Sequence, residues 1–247
     1  MHLVVRKVWT ITFLLLACTF TTHAEEAELD IALSLADMLR ASRTVIANNQ
    51  PLINDPDQTD KPLSGEIIVA QVIDLLAESG TISAEQLSGD SRLARYLQFK
   101  TDAIAEVIDE NQKLFNQPGL SFKGFVPAVF ARLVNERFSE KAGGDAHVKV
   151  TAPMDLIRNR RARPDDWELD VFENQFKSDD WRHGERFTAS TTVGGREAFR
   201  VMVPEYYGQA CLACHGAPKA ELDITGYPKE GAELDQLAGA ISITIFK

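Results

Sequence analysis

Gly194-Gly195-Arg196-Glu197-Ala198-Phe199-Arg200-Val201-Met202-Val203-Pro204 is the stretch on which the fold turns. A Gly-Gly pair between two apolar runs is a two-residue hairpin signal, because glycine accepts the positive φ that such turns demand. Phe199, Val201 and Val203 alternate along the second run, with Met202 facing the other way. The pattern predicts antiparallel strands over residues 185–193 and 197–204. Downstream, residues 216–238 are irregular, broken by Gly226, Pro228 and Gly231. Residues 240–246 then read as a last strand with Ile241, Ile243 and Ile245 inward, and upstream Val148 and Val150 share one side of residues 147–151.

Before these strands the texture is helical. Ile31, Leu35, Met38, Leu39, Ser42, Val45 and Ile46 recur at three- and four-residue spacing, which predicts a helix over 29–50, ended by Pro51 and Asn54-Asp55-Pro56. Ser64 is placed to cap a second helix, with Ile67, Ile68, Val72, Ile73 and Leu76 buried and Gly80 closing it. Ser83-Ala84-Glu85-Gln86 is a capping box. Residues 91–116 and 127–142 read as further helices, the latter with Pro127 in its first turn and Gly143-Gly144 as its stop. Asp165 or Asp166 caps another, which carries Trp167, Val171, Phe172 and Phe176. Helices first and antiparallel strands after make an α+β chain.

The helical part contains a repeat at a constant offset of 62 positions. Val45-Ile46 matches Val107-Ile108, and Asn49-Gln50 matches Asn111-Gln112. Leu52, Asn54, Pro56 and Lys61 match Leu114, Asn116, Pro118 and Lys123, and Val72 and Glu78 match Val134 and Glu140. Shared helical composition explains the apolar matches. It does not explain an ungapped polar register through a loop. Two helix–loop–helix units packed as a four-helix layer are expected.

Soon after the hairpin comes Cys211-Leu212-Ala213-Cys214-His215-Gly216. Two cysteines separated by two residues, with a histidine directly after, form the attachment pattern of c-type haem. Each thiol of Cys211 and Cys214 bonds one vinyl group on the same edge of the porphyrin, which holds His215 under the iron as proximal ligand. A redox dithiol has no use for the histidine, and a four-ligand zinc site needs a second Cys/His pair that the sequence does not offer.

The N-terminus supports this reading. Arg6 and Lys7, an apolar run over residues 8–20 and Thr22-His23-Ala24 form a leader with a small-residue cleavage site, predicting removal of residues 1–24 and periplasmic export. Leu15-Leu16-Ala17-Cys18 also fits a lipoprotein signal, in which Cys18 would carry the lipid anchor. Cleavage after Ala24 removes Cys18 and leaves two cysteines, both in the haem motif. Removal of Arg6 and Lys7 leaves 24 basic residues against 36 acidic ones, a net charge of −12, which argues against nucleic acid and anionic membrane surfaces as partners. No second apolar run of membrane-spanning length follows residue 24.

Several further pieces, in order, resemble a bacterial haem-c sensor domain of PAS-like fold. They are Arg43-Thr44-Val45-Ile46, Lys123-Gly124-Phe125, Arg158-Asn159 with Pro164-Asp165 and Trp167-Glu168, the haem motif continued by Ala217-Pro218, and Gly239-Ala240-Ile241-Ser242-Ile243. Where the family often reads Arg-Asn-Pro-x-Asn-x-Pro, this chain has Arg160 and Ala162 in place of the proline and second asparagine. The resemblance implies a helical repeat region over 25–144 and a PAS-like haem-binding region over 145–247, in one continuous domain over 25–247. Members are often fused to a kinase or chemoreceptor, and nothing follows Lys247 in this sequence. The resemblance therefore carries the haem expectation further than the signalling one.

The expected function is a monohaem c-type module that senses redox state or a small gaseous ligand; the alternative is a periplasmic electron carrier with a protein redox partner. A haem enzyme such as a peroxidase would need an acid–base pair, and none stands out, so no catalytic residue is assigned. A second copy bound through the helical layer is a further expected partner. Distal-ligand candidates are Met38, since in resembling sensors the N-terminal helices reach the iron, and Met202; Met154, His147 and His183 are weaker. Arg158, in the basic loop 158–163, is a candidate for a haem propionate, since guanidinium forks suit carboxylates.

Overall fold

A computed structural model describes the backbone from residue 4 to residue 247 and the side chains from residue 24 onward; the side chains of the expected leader, Cys18 included, lie outside the described residues. The helical half comprises α1 (Val4–Asn48), α2 (Gln50–Ile53), α3 (Gly65–Ser79), α4 (Ala84–Ser88), α5 (Arg92–Glu110), α6 (Gln112–Phe115) and α7 (Pro127–Lys141). The second half comprises β1 (Ala146–Thr151), α8 (Asp166–Val171), β2 (Phe187–Val193), β3 (Arg196–Tyr206), α9 (Leu212–His215) and β4 (Leu237–Phe246). The fold is α+β, with the sheet antiparallel throughout in the order β1-β4-β3-β2. Among the described residues no helix is long and apolar enough to cross a membrane.

The helix ends follow the expected chemistry. Ser64 accepts from Ile67 N, Ser83 and Gln86 close a capping box, and Pro127 opens α7. Asp165, not Asp166, caps α8, again with a capping box through Glu168. Two expectations change. Ile67 is 39% exposed, on the outer face of α3. The expected helices over 29–50 and 91–116 each break in two, at Asn49 and at Asn111.

Those breaks are the repeat made visible. Asn49 Nδ2 donates to Val45 O (2.8 Å) and Asn111 Nδ2 to Val107 O (2.7 Å). Gln50 Nε2 donates to Phe125 O (2.9 Å), and Gln112 Nε2 to Leu63 O (2.5 Å), so each glutamine holds the loop of the other unit. Lys61 N donates to Asn116 Oδ1 (3.0 Å), and Lys123 N to Asn54 Oδ1 (2.9 Å). The buried Lys61 and Lys123 turn their ammonium groups onto backbone carbonyls, Lys61 on Asp55, Gln58 and Phe115, Lys123 on Gln117. The exchange is reciprocal in the way of a self-complementary twofold contact.

Both faces of the sheet are covered, so β3 is buried from Ala198 to Pro204 rather than on alternate residues. One face presents Val148, Phe199, Val201, Val203, Ile241, Ile243 and Ile245 to the helical layer. The other presents Met202 and Ala240 to Val171, Phe172 and Phe176, on α8 and the π-helical turn Phe172–Phe176 that extends it. On that second face the buried Arg200 reaches Asp165 (2.7 Å) and Glu168 (3.3 Å) and lies over the Trp167 ring (4.1 Å).

Candidate functional site

The site is built where β3 runs out. Its pairing with β4 slips at Glu205/Tyr206. The next residue, Tyr207, is buried and bonds through its backbone to Gln236 O and Asp235 N. A 3-10 turn (Gln209–Cys211) then leads directly into α9. Gly216 ends that turn of helix in close contact: a Cβ there would stand 2.7 Å from Leu212 O. The chain then makes the irregular loop expected over 216–238, tied back by Ala232 N to His215 O (2.7 Å).

Cys211 and Cys214 are both free thiols, half-buried, on one continuous turn. Burial, with the Asp223 carboxylate, pushes the Cys214 thiol up. Among the described residues no group of three or more His, Cys, Asp or Glu could hold a metal ion, so a protein-only zinc site has no second pair here.

His215 sits at the end of a chain of charges. Its Nδ1 is 2.9 Å from Glu230 Oε2. Glu230 takes a two-pronged contact from Arg158, Nε to Oε1 (2.7 Å) and Nη2 to Oε2 (2.8 Å). Arg158 Nη1 donates to Asp223 Oδ2 (2.6 Å), and Nη2 also to Cys214 O (2.9 Å). The buried Asp223 accepts further from Thr225 N, Thr225 Oγ1 and Tyr227 N. Tyr227 OH closes the circuit on Arg158 O (2.9 Å).

Burial opposes ionisation of Asp223 and Glu230, but the hydrogen bonds outweigh it. Asp223 is held well below the usual carboxylate range by Thr225, Arg158 and Tyr227, and Glu230 is lowered by Arg158 and His215. Arg158 is likewise raised, since its two carboxylates overcome the cost of burial. An ionised Glu230 can only accept, so His215 Nδ1 is the donor; in the neutral imidazole this puts the lone pair on Nε2. Tyr207 flanks the imidazole with ring centroids 5.1 Å apart, its hydroxyl pushed up to about 12 by burial first and by Glu230.

The distal candidates separate. Met38 is buried in the helix-side core, its sulfur 3.9 Å from Thr101 Oγ1. Met202 is buried on the opposite side of the sheet, under the π-helical turn. The two therefore lie on different sides of the sheet and cannot serve interchangeably. His147 meets Phe246 edge-on, and His183 stacks on Tyr206 and reaches Asp235 (3.2 Å). Met154 is 49% exposed, in the turn after β1. Arg158 does not present an open fork: its guanidinium faces Glu230, Asp223 and Cys214 O.

A cavity of about 620 Å³ lies between α7, β1 and the 159–162 turn, with Arg43, Asn135, His147, Val150, Asn159 and Arg161 on its walls; Cys211, Cys214 and His215 do not line it. Sequence reasoning missed Glu230 and Asp223, which lie in a stretch without period and show only as two more acidic residues in an acidic chain. A family model described as Tll0287-like (Tll0287) matches residues 21–245. No curated protein and no solved structure matches the chain.

Proposed function

The chain belongs to the Tll0287-like family, and from that premise we propose that it is an exported, sensor-like module that binds one haem c. The observation that carries this reading is the pair of free thiols on one turn beside a histidine whose Nδ1 is pinned to a carboxylate. The residues present fit the group. Cys211 and Cys214 would hold it by thioether bonds, each sulfur adding to one vinyl carbon and the thiol hydrogen passing to the other. His215 Nε2 would be the proximal ligand. The bound group supplies a one-electron couple and, with an open sixth position, a place for a small gaseous ligand. Export would suit the group, since haem c is attached outside the bacterial cytoplasm, and a leader over residues 1–24 is the expectation from sequence.

The sensing half of the proposal rests on Glu205. This carboxylate, at the end of the strand that leads into the motif, is clamped by Arg40 Nε (2.7 Å) and Arg43 Nη1 (2.6 Å) of α1. A displacement at the motif thus has a direct route into the helical layer, through which the bound group would bias that layer's conformation. The second reading, an electron carrier, is favoured by Leu222, Ile224 and Leu234, which stand exposed in the loop that follows the motif.

Haem stain on a denaturing gel tests the haem assignment after co-expression with the cytochrome c maturation system. We expect stain to run with the wild-type chain and to vanish in the Cys211→Ala/Cys214→Ala double variant. A matured wild-type chain without stain overturns the assignment. Amide exchange of α1 in the reduced and oxidised holoprotein, with and without carbon monoxide, tests sensing. We expect protection around Arg40 and Arg43 to change; identical protection in all states leaves electron carriage.

A further inference from the structure

We infer that Glu230 is the positioning residue of His215, fixing which imidazole nitrogen is free and, together with Arg158 and Asp223, setting how strongly that nitrogen donates. The inference rests on the haem reading and deepens it. Nδ1 bonds to Oε2 at 2.9 Å, and the same Oε2 takes Arg158 Nη2 at 2.8 Å. Glu230 is therefore shared: its charge both polarises the imidazole and is drawn off by the guanidinium. A carboxylate partner raises the basicity of a ligating histidine, and a cation on that carboxylate moderates the effect.

The charge balance points the same way. Arg158 is one cation shared by two carboxylates, Glu230 at 2.7 Å and Asp223 at 2.6 Å. One negative charge remains beside His215. It favours the more positive, oxidised state of any metal held there and lowers the reduction potential.

The arrangement also explains why the loop after the motif is so heavily bonded. Asp223 is fixed by Thr225 and Tyr227, Arg158 by Asp223 and Cys214 O, and Glu230 by Arg158. Each group orders the next, and the last in line orders His215.

The test uses the haem-loaded full chain. Glu230→Gln, which keeps the shape and removes the charge, is expected to raise the midpoint potential and to change the axial-ligand signature in the electron paramagnetic resonance spectrum. Asp223→Asn removes an equal charge one step further from the imidazole and is expected to raise the potential less, with the axial signature unchanged. An unchanged potential in Glu230→Gln, or equal shifts in both variants, overturns the inference. Proton exchange at His215 Nδ1 in the wild-type holoprotein gives a readout that needs no variant: the proton should be protected, and one that exchanges as fast as a free imidazole overturns it. Absence of haem on the wild type would strike the haem assignment itself; a loaded wild type with an indifferent Glu230→Gln strikes only the role of Glu230.

Discussion

The ammonium of Lys100 on α5 is wholly buried and meets Asn135 Oδ1 of α7, with the Phe138 ring 5.1 Å from its nitrogen. A neutral amide and an aromatic face are thin compensation for a desolvated charge. Burial accordingly lowers its pKa from 10.5 to about 7.

The sign of the consequence follows from proton counts. Between about pH 7 and 10.5 the unfolded chain holds a proton on Lys100 that the folded chain has released. Stability therefore rises with pH across that window, by at most about 1.4 kcal/mol per unit from this group. Lys100→Met should flatten the rise, seen as urea midpoints at pH 7, 8 and 9 that no longer climb relative to wild type. Parallel climbs in the two proteins would contradict a neutralised lysine.

Asn54 and Asn116 each accept a backbone N–H from the other unit, from Lys123 and Lys61 respectively. Alanine at either position strands a donor on a buried residue and should cost about 1–2 kcal/mol. Because the two loops interlock, the double variant should depart from the sum of the singles. Urea unfolding of the three proteins decides this; a neutral single variant would mean that the exchange is ornamental.

Gly65 is the first residue of α3 and is buried against α5. An added Cβ would stand 2.5 Å from Ala105 O and 2.7 Å from Ala105 Cα, both backbone atoms that cannot turn aside. Gly65→Ala should force the helices apart at a cost of about 1–3 kcal/mol. Gly80→Ala is the control: φ is +66° and nothing lies within 4 Å, so only the left-handed conformation resists, at about 1 kcal/mol. Thermal unfolding separates the two, and an unaffected midpoint in Gly65→Ala would contradict the close crossing.

What could be read beforehand was whatever depends on neighbours in sequence. The Gly194-Gly195 turn was legible because both residues need positive φ, and they have it, at 58° and 84°. The caps at Ser64, Ser83 and Asp165 answer to residues three positions on. The paired Asn-Gln registers were legible because a repeat compares the chain with itself. The side of the sheet on which Met38 or Met202 lies was not legible, since alternation shows that Met202 opposes Val201 without showing what covers either face. Nor were the partners of Arg158. Glu230 and Asp223 are 72 and 65 positions away, and nothing local to residues 158–163 points to either.

The interlocked loops have a kinetic consequence. A free-standing unit of about half the helical region would find its missing Asn and Gln partners only by colliding with a second molecule, at a rate set by protein concentration. Tethering the two units in one polypeptide converts that encounter into an intramolecular closure at high effective concentration. Assembly of the helical layer is thereby first-order, and dilution does not slow it.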